Sequence, residues 1–518
     1  MRALLWILIA AVGAIGFGAI ALHRGEAINA AWLLAAAFGT WAIGYRFYSR
    51  VIVDRVFRLD DARPTPAVRL EDGKDFVPTS KWVVFGHHFA AIAGAGPLVG
   101  PILAAQFGWL PGTLWIIVGV VVAGAVQDLV ILCASIRRDG KSLAEIVRDE
   151  LGPLAGWTAL IAITGILCVL IAVLAIVVVN ALAQSPWSVV TVGCTIPIAM
   201  LMGVWMRWLR PGRVLEASAI GLVLLFVALW LGHVVNEDPT WKARFTLGKE
   251  PLAWAVVAYG LVAAALPVWL LLAPRDYLSA FVKLGTVALL ALGVVLVSPT
   301  LEMPAVVGQL GAGPDVAGGH GPVFAGTLFP FAFITIACGV ISGFHSLVSS
   351  GTTPKLISRE RDCRAIGYGA MLMEAFVALM ALIAACALTP AEYFTMNSAQ
   401  FDKQSPQQVS ATLATWGMTF TPAQIEQAAT DIGEPSIIAK TGGAPTLAVG
   451  MAHIFAQATS WIGASKAWWY RAASEMAPSR CQAAAIRAPA SAWSSSKVRF
   501  SAIWREILSR SATAMVRT

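Results

Sequence analysis

Apolar runs of about 20 residues recur along the chain, and short polar segments separate them. A run of this length lets an α-helix cross the hydrocarbon core of a bilayer, which is about 30 Å thick. The pattern predicts an all-α polytopic membrane protein with about twelve transmembrane helices. The first run is interpreted as a retained helix rather than a signal peptide, because it lacks a small-residue cleavage pattern. The predicted spans are 3–22, 29–48, 84–105, 113–135, 157–182, 187–206, 214–235, 252–272, 279–297, 327–347, 365–387 and 446–462.

Lysine and arginine are distributed unevenly among the loops between these spans. If the N-terminus is cytoplasmic, the inner loops hold twenty basic residues and the outer loops hold six. Basic residues concentrate in cytoplasmic loops, so the distribution predicts a cytoplasmic N-terminus. The inner loops are then 46–82, 136–152, 207–213, 274–278 and 351–364.

Composition supports the same class of protein. Hydrophobic residues make up 58% of the 518 residues and charged residues 13%, against about a quarter charged in a typical soluble domain; the mean hydropathy is +0.73. The seven cysteines show no CxxC spacing, so neither a disulfide framework nor a metal site is predicted. Of the net charge of +8, residues 464–518 contribute +7, with nine basic and two acidic residues. The basic balance therefore belongs to this tail and does not indicate a nucleic-acid partner.

The tail 464–518 is rich in serine and arginine and contains no run long enough to span a bilayer. One interpretation is a disordered basic segment that lies on the anionic membrane surface. The other, which the sequence favours, is an aberrant C-terminus, such as one translated out of frame.

One predicted span contains residues that a lipid-facing helix does not need. Residues 85–101 read FGHHFAAIAGAGPLVGP. Proline has no N–H group, so carbonyl groups one turn earlier are left unpaired and need another partner within the bilayer. Broken helices of this kind mark binding sites in transporters, whereas close packing of helices against glycine is the alternative. The candidate substrate-binding residues are Gly94, Gly96, Pro97 and Gly100.

Two carboxylic acids lie inside predicted spans, where insertion of a charged residue costs about 2.5–3.5 kcal/mol. Asp128 lies in the inner half of its span, and Glu374 lies near the middle of its own. Either is a candidate proton carrier for coupled transport. The alternatives are an ion pair with Arg137 or Arg138 and a hydrogen bond to the end of a broken helix.

Three histidines are secondary candidates. His87 and His88 are adjacent, so their side chains point about 100° apart around a helix and form a poor chelating pair. His453 lies in the middle of the last predicted span and is equally explained as a hydrogen-bonded packing residue.

Four segments of the chain carry a resemblance to a known family: residues 85–132, 135–152 (SIRRDGKSLAEIVRDELG), 330–355 (PFAFITIACGVISGFHSLVSSGTTPK) and 450–455 (GMAHIF). They resemble the carbon starvation protein A family, and the similarity extends over about residues 30–470. The resemblance implies an inner-membrane transporter of peptides or pyruvate that bacteria induce under carbon limitation. It also implies a relation to the amino acid–polyamine–organocation superfamily, whose core is two inverted repeats of five helices. Family members usually continue into further helices after a motif like Trp468–Tyr470, where this sequence has its Ser/Arg-rich tail.

The superfamily core implies a domain organisation and a partner for the broken helix. An inverted repeat places the second discontinuous helix at 252–272, which contains Tyr259 and a central Pro267 as further substrate-binding candidates. The implied divisions are two peripheral helices at 1–48, a basic cytoplasmic loop at 49–80, a ten-helix core at 81–463 with repeats of about 81–235 and 252–463, and the tail at 464–518.

In sodium-coupled members of that superfamily, hydroxyl groups of the eighth core helix and carbonyl groups of the broken first helix hold the ion. The corresponding helix here is 327–347, so the resemblance makes Ser342, Ser346 and Ser349 ion-coupling candidates, together with the neighbouring His345. The serines share one helix face because they are four and three residues apart. The alternative is that their hydroxyl groups bond backbone carbonyls and pack the bundle.

We therefore expect a secondary active transporter in the bacterial inner membrane that imports a peptide or a small carboxylate such as pyruvate. The expected coupling ion is a proton or sodium, and no cofactor is expected. The alternatives are a nutrient sensor that binds without transport, a membrane-embedded enzyme, and a non-functional product with an altered C-terminus. No HExxH, P-loop or GxSxG motif in a suitable context supports enzyme chemistry or ATP hydrolysis.

The predicted orientation is testable by cysteine labelling of intact cells. In a variant without native cysteines, Asp315→Cys should react with a membrane-impermeant maleimide added from outside. Arg361→Cys should react only after the membrane is permeabilised, because it lies in a predicted inner loop. The opposite pattern would reverse the predicted orientation.

Overall fold

The computed structural model of the chain describes residues 28–183, 185–460 and 465–470. Within these ranges the chain is helical and contains no β-strand, as the apolar pattern predicts. The predicted span 3–22 and most of the tail lie outside the described residues. The main helices, numbered in chain order, are α1 Ala30–Ile43, α2 Lys81–Ile92, α3 Gly96–Ala104, α4 Trp109–Ile136, α5 Leu143–Leu151, α6 Pro153–Leu182, α7 Pro186–Leu209, α8 Val214–Glu237, α9 Pro239–Phe245, α10 Lys249–Ala265, α11 Leu272–Val297, α12 Leu328–Ile336, α13 Gly343–Ser349, α14 Glu360–Cys386, α15 Pro390–Asn397, α16 Pro406–Thr415, α17 Pro422–Asp431 and α18 Ala444–Ala458.

Seven helical segments in the described part of the chain are long and apolar enough to cross a bilayer, and α2 with α3 gives an eighth span if the bent pair is counted as one. These eight coincide with eight of the predicted spans. The helices at three other predicted spans, α1, α10 and α18, do not meet the same test of length and hydropathy. The number of twelve spans is therefore not confirmed, while the class of helical membrane protein is.

Capping residues set the ends of several helices. Thr421 begins α17 with a reciprocal capping box, in the segment where a Thr-Pro start predicts a helix, and Thr389 and Ser405 begin α15 and α16 in the same way. Each is followed by a proline, which has no N–H group that needs a helical partner. Ser142 and Glu145 form a capping box at the start of α5, and the hydrogen bonds from Ser142 lower the pKa of Glu145.

Burial separates the helices into an interior and a lipid-facing layer. Every side chain from 374 to 388, in the second half of α14 and just beyond, is buried, because α2, α3, α4 and α18 pack around it. By contrast, no side chain is buried in the most apolar stretch of α6, whose leucine, isoleucine and valine residues face outward. On a helix that is long and apolar enough to span a bilayer, an exposed apolar surface is the surface that faces lipid. The buried centre of the helix bundle is therefore α14 together with the helices that pack around it.

Two of the spans are interrupted. α2 and α3 form the first break, where the chain bends by 44° across residues 93–95. α12 and α13 form the second break, where Ala337–Gly339 is a 3₁₀ turn and Ser342 is extended.

The second break is not where the inverted-repeat argument places it. The resemblance implies a discontinuous helix at 252–272 with Pro267 at its centre, but α10 ends at Ala265 and α11 begins at Leu272. Pro267 lies in the connection between them, where a residue without an N–H group costs no helical hydrogen bond. The structure therefore corrects the position of the second discontinuous span from 252–272 to 328–349. The arrangement of the helices as two inverted repeats stays a prediction.

Candidate functional site

The two broken spans contact each other at their breaks. A Cβ atom on Gly96 would lie 2.4 Å from Cys338 Sγ, and one on Gly100 would lie 2.2 Å from the carbonyl oxygen of Thr335. Glycine at these two positions lets α3 approach the second break closely, so the structure supports the packing role for both. Gly94 differs, because it is exposed and a Cβ atom there would meet nothing within 4 Å. Open space at the first break therefore lies at Gly94.

Pro97 completes the contact between the breaks from the first turn of α3. It is buried, and a Cβ atom on Gly339 would lie 3.5 Å from the Cβ atom of Pro97. The side chain of Pro97 thus packs on the 3₁₀ turn of the second break, while its missing N–H group leaves the start of α3 free of one obligatory hydrogen bond.

Three ionisable side chains from three helices meet next to the second break. His345 of α13 lies between Asp128 of α4 and Glu374 of α14. His345 Nδ1 is 3.4 Å from Asp128 Oδ2, and its Nε2 is 3.2 Å from Glu374 Oε2. All three residues are buried, with at most 1% of their surface exposed. Sequence reasoning selects these residues one by one, and the tertiary structure joins them into one acid–histidine cluster.

Neither of the arginines considered as a partner for Asp128 reaches it. Arg137 Nε is 3.0 Å from Glu360 Oε1, and Arg138 Nε donates to Glu150 Oε1 at 2.9 Å. Both guanidinium groups are therefore engaged with other carboxylates, and the ion-pair partner of Asp128 in this structure is His345.

The polar atoms of the cluster have few hydrogen bonds. Among the described residues, both carboxylate oxygens of Asp128, Oε2 of Glu374 and Nε2 of His345 lack a partner with good hydrogen-bond geometry. Sulfur atoms lie around them: Cys338 Sγ is 3.7 Å from Glu374 Oε1, and Met371 Sδ is 3.2 Å from His345 Nδ1. Buried polar groups without partners cost free energy, so this arrangement favours uptake of a small cation between the carboxylates.

The same place holds the group of possible metal ligands found in the described residues. Cys338, His345 and Glu374 each offer one donor atom, and the three atoms lie within 4.8 Å of one another. Thiolate, imidazole and carboxylate are ligand types that zinc accepts. Sequence analysis predicts no metal here, because the three residues have no metal-motif spacing and come together only through the fold.

The candidate serines of the second broken span have different environments. Gln127 Nε2 donates to the carbonyl oxygen of Ser342 and to Oγ of Ser346, at 2.7 Å in each case. These bonds join α4 to the second break. Ser349 Oγ is buried and has no hydrogen-bond partner within the described ranges, so a packing role through a hydrogen bond to a backbone carbonyl has no support at this residue. The ion-coupling role of the three serines stays a prediction.

The adjacent histidines point to different elements, as their spacing predicts. His87 Nδ1 lies 2.8 Å from Asp276 Oδ2 of α11, and His88 Nδ1 lies 2.9 Å from Thr353 Oγ1. His453 pairs at 2.8 Å with a glutamine one turn later in α18. These contacts join α2 to its neighbours and stabilise α18, and none of them includes a member of the acid–histidine cluster.

Tyr259 and Pro267 are not brought to the first break. Tyr259 lies on α10, which packs against α6 on the lipid-facing side. Its ring centre is 4.9 Å from the guanidinium carbon of Arg275. Pro267 lies in the connection between α10 and α11. The substrate-binding role predicted for Tyr259 and Pro267 is therefore not supported by any contact with either break.

Sequence reasoning misses Lys283, a cation inside α11. Its Nζ donates to the carbonyl oxygens of Ala90 at 3.0 Å and Ala93 at 2.7 Å, at the end of α2. The available signal is a lysine within an otherwise apolar run, because an ionisable residue in a span indicates a function by default.

The family profile and the curated relatives that match this chain point to the same protein family. The profile of the family described as Carbon starvation protein CstA matches residues 29–479. The peptide transporter CstA of Campylobacter jejuni is 52% identical over 468 residues, which are 90% of this chain and 66% of that protein. The pyruvate/proton symporter BtsT of Escherichia coli is 49% identical over 489 residues, with coverage of 90% and 67%. The chain spans about two thirds of the length of these curated relatives, and no solved structure matches it.

Gly96→Ala should destabilise the protein, whereas Gly94→Ala should not. The added methyl group at 96 would overlap Cys338, and overpacking of this kind costs about 1–3 kcal/mol, while position 94 faces open space. Thermal unfolding of both variants in detergent, followed by tryptophan fluorescence, measures the difference. Cys338→Gly added to Gly96→Ala should recover part of the lost stability. Equal melting temperatures for the two single variants would contradict the close packing at Gly96.

Proposed function

The chain belongs to the carbon starvation protein CstA family, and we propose that it is a secondary active transporter that imports peptides or a small carboxylate such as pyruvate. Its apolar helices make it a multi-pass membrane protein. Relatives named as a peptide transporter and as a pyruvate/proton symporter support the proposal. The observation that carries it is the buried acid–histidine cluster beside two broken spans. The location we propose is the inner membrane, and the loop charges support a cytoplasmic N-terminus.

The charge of the cluster explains how ion binding could drive a conformational change. With His345 protonated and both carboxylates ionised, the three side chains carry one net negative charge. One more proton makes the cluster neutral. A net charge inside a bilayer is costly, so the loaded and empty states differ in free energy. A transporter uses such a difference to shift the population between its two orientations.

A proton is the coupling ion that this geometry favours. The carboxylates of Asp128 and Glu374 lie on opposite sides of one imidazole, 3.4 Å and 3.2 Å from its nitrogen atoms, so a proton taken up by either carboxylate changes the charge balance of all three groups. The relative named as a proton symporter supports this choice.

The substrate site is proposed at the first break. The N-terminus of α3 is the positive end of a helix dipole, and such ends bind carboxylates in transporters. Peptides and pyruvate each carry a carboxylate. Gly94 provides the open space and Pro97 begins the half-helix, while Gly96 and Gly100 act by letting α3 pack closely.

A chain of direct contacts joins the substrate site to the cluster. Gly96 lies against Cys338, and Cys338 Sγ lies 3.7 Å from Glu374. A shift of α3 on substrate binding would therefore displace Cys338 and change the surroundings of Glu374. This contact is the physical link between substrate and proton that coupled transport requires.

Asp128→Asn should abolish accumulation driven by a proton gradient, because the amide cannot take up the proton that neutralises the cluster. Exchange of internal for external substrate should remain in part, since exchange needs no net proton movement. The measurement is uptake of labelled pyruvate and of a labelled dipeptide into proteoliposomes with and without an imposed gradient. The control is Glu150→Gln, which removes an exposed carboxylate paired with Arg138 and should leave gradient-driven uptake within about twofold of the unmodified chain.

Two outcomes would contradict parts of the proposal. Gradient-driven uptake by Asp128→Asn with unchanged pH dependence would remove Asp128 from the mechanism. Saturable binding of the substrate to the unmodified protein, without accumulation under any gradient, would instead favour the nutrient sensor.

A further inference from the structure

Lys283 lies within an apolar stretch of α11 and reaches the first break. The residues on its C-terminal side, LGTVALLALGVVLV, contain no charged residue. The side chain is half-buried, and its ammonium group donates to two carbonyl groups, of Ala90 and Ala93. α11 packs along α2, which holds the lysine against the end of that helix.

The end of α2 is a place that attracts a cation. The last carbonyl groups of a helix have no partner within the helix, and they form the negative end of its dipole. Water is scarce inside a bilayer, so these groups need a donor or a cation from the protein or from solution. Lys283 supplies both in one group, because an ammonium carries a full positive charge and three N–H donors.

Other charges near Lys283 do not replace it in this role. Asp276, Arg275 and Glu374 lie within electrostatic range of its ammonium group. Asp276 lies two turns before Lys283 on the same helix and contacts His87, and Glu374 contacts His345. Each carboxylate is thus paired with a histidine. The ammonium group of Lys283 donates its hydrogen bonds to the carbonyl groups of Ala90 and Ala93.

We propose that Lys283 is a tethered cation that occupies the carbonyl site at the first break, where a free monovalent cation such as sodium would otherwise bind. The inference rests on the proposed transport function and deepens it, because a break already filled by an ammonium group needs no sodium. The coupling ion is then taken up elsewhere, at the acid–histidine cluster.

The first test is sodium binding, measured on the purified full-length chain in detergent by equilibrium dialysis with ²²Na⁺. The unmodified chain and Lys283→Arg should show no saturable binding, because each places a cation at the carbonyl site. Lys283→Ala should bind about one sodium ion per chain, and the control Lys242→Ala, an exposed lysine of α9, should bind none. Saturable binding by the unmodified chain would overturn the proposal, and so would its absence from folded Lys283→Ala.

A second variant covers the case in which Lys283→Ala fails to fold. Lys283→Met keeps most of the length of the unbranched side chain but removes its charge and donors. Hydrogen exchange of the amides at residues 93–96 should become at least about fivefold faster, because hydrogen bonds from a charged donor hold the end of α2. Amides of α14 should exchange as before. Unchanged exchange at 93–96 would overturn the proposal. Neither measurement uses a substrate, so a failure here is distinguishable from a failure of transport.

Discussion

A helix that is interrupted inside a bilayer leaves backbone groups that water does not reach, and the protein must supply their partners. This constraint organises the centre of the molecule. At the first break, Lys283 reaches the carbonyl groups of Ala90 and Ala93. At the second, Gln127 donates to the carbonyl group of Ser342. The partners come from α11 and α4, so the two breaks require these helices to pack where they do.

The same packing places polar chemistry where it is isolated from solvent. Asp128, one residue after Gln127 on α4, faces His345 just beyond the second break, and Glu374 on α14 closes the other side of the imidazole. Because these groups are buried, solvent screens their charges little, and the protonation of each group affects the energy of the other two. The proposed coupling follows from this dependence, since a proton added to one member changes the electrostatic energy of all three.

Agreement between sequence and structure is good where the signal is local. The apolar runs predict the eight spans that the structure supports, and the adjacent histidines predict divergent contacts. It fails at 252–272, where the inverted repeat implied by the superfamily resemblance places a discontinuous helix and Pro267 lends local support. A proline shows where a helix cannot continue, but the same signal arises at the end of a helix and in the middle of a broken span.

The sequence by itself determined the class of protein, the first break and the two acids inside spans, Asp128 and Glu374, because hydropathy and residue chemistry can be read from single positions. His345 became a candidate only through the family resemblance. Only the tertiary structure decided that these three meet, that Gly96 packs on Cys338 while Gly94 stays open, and that Lys283 caps α2. Each of these facts depends on contacts between helices distant in the chain, and helix packing is not encoded by the local period of the pattern. The residues of segment 85–101 were enough to predict a broken helix. Its contacts within the protein, with Lys283 of α11 and with the second break, could be seen only in the tertiary structure.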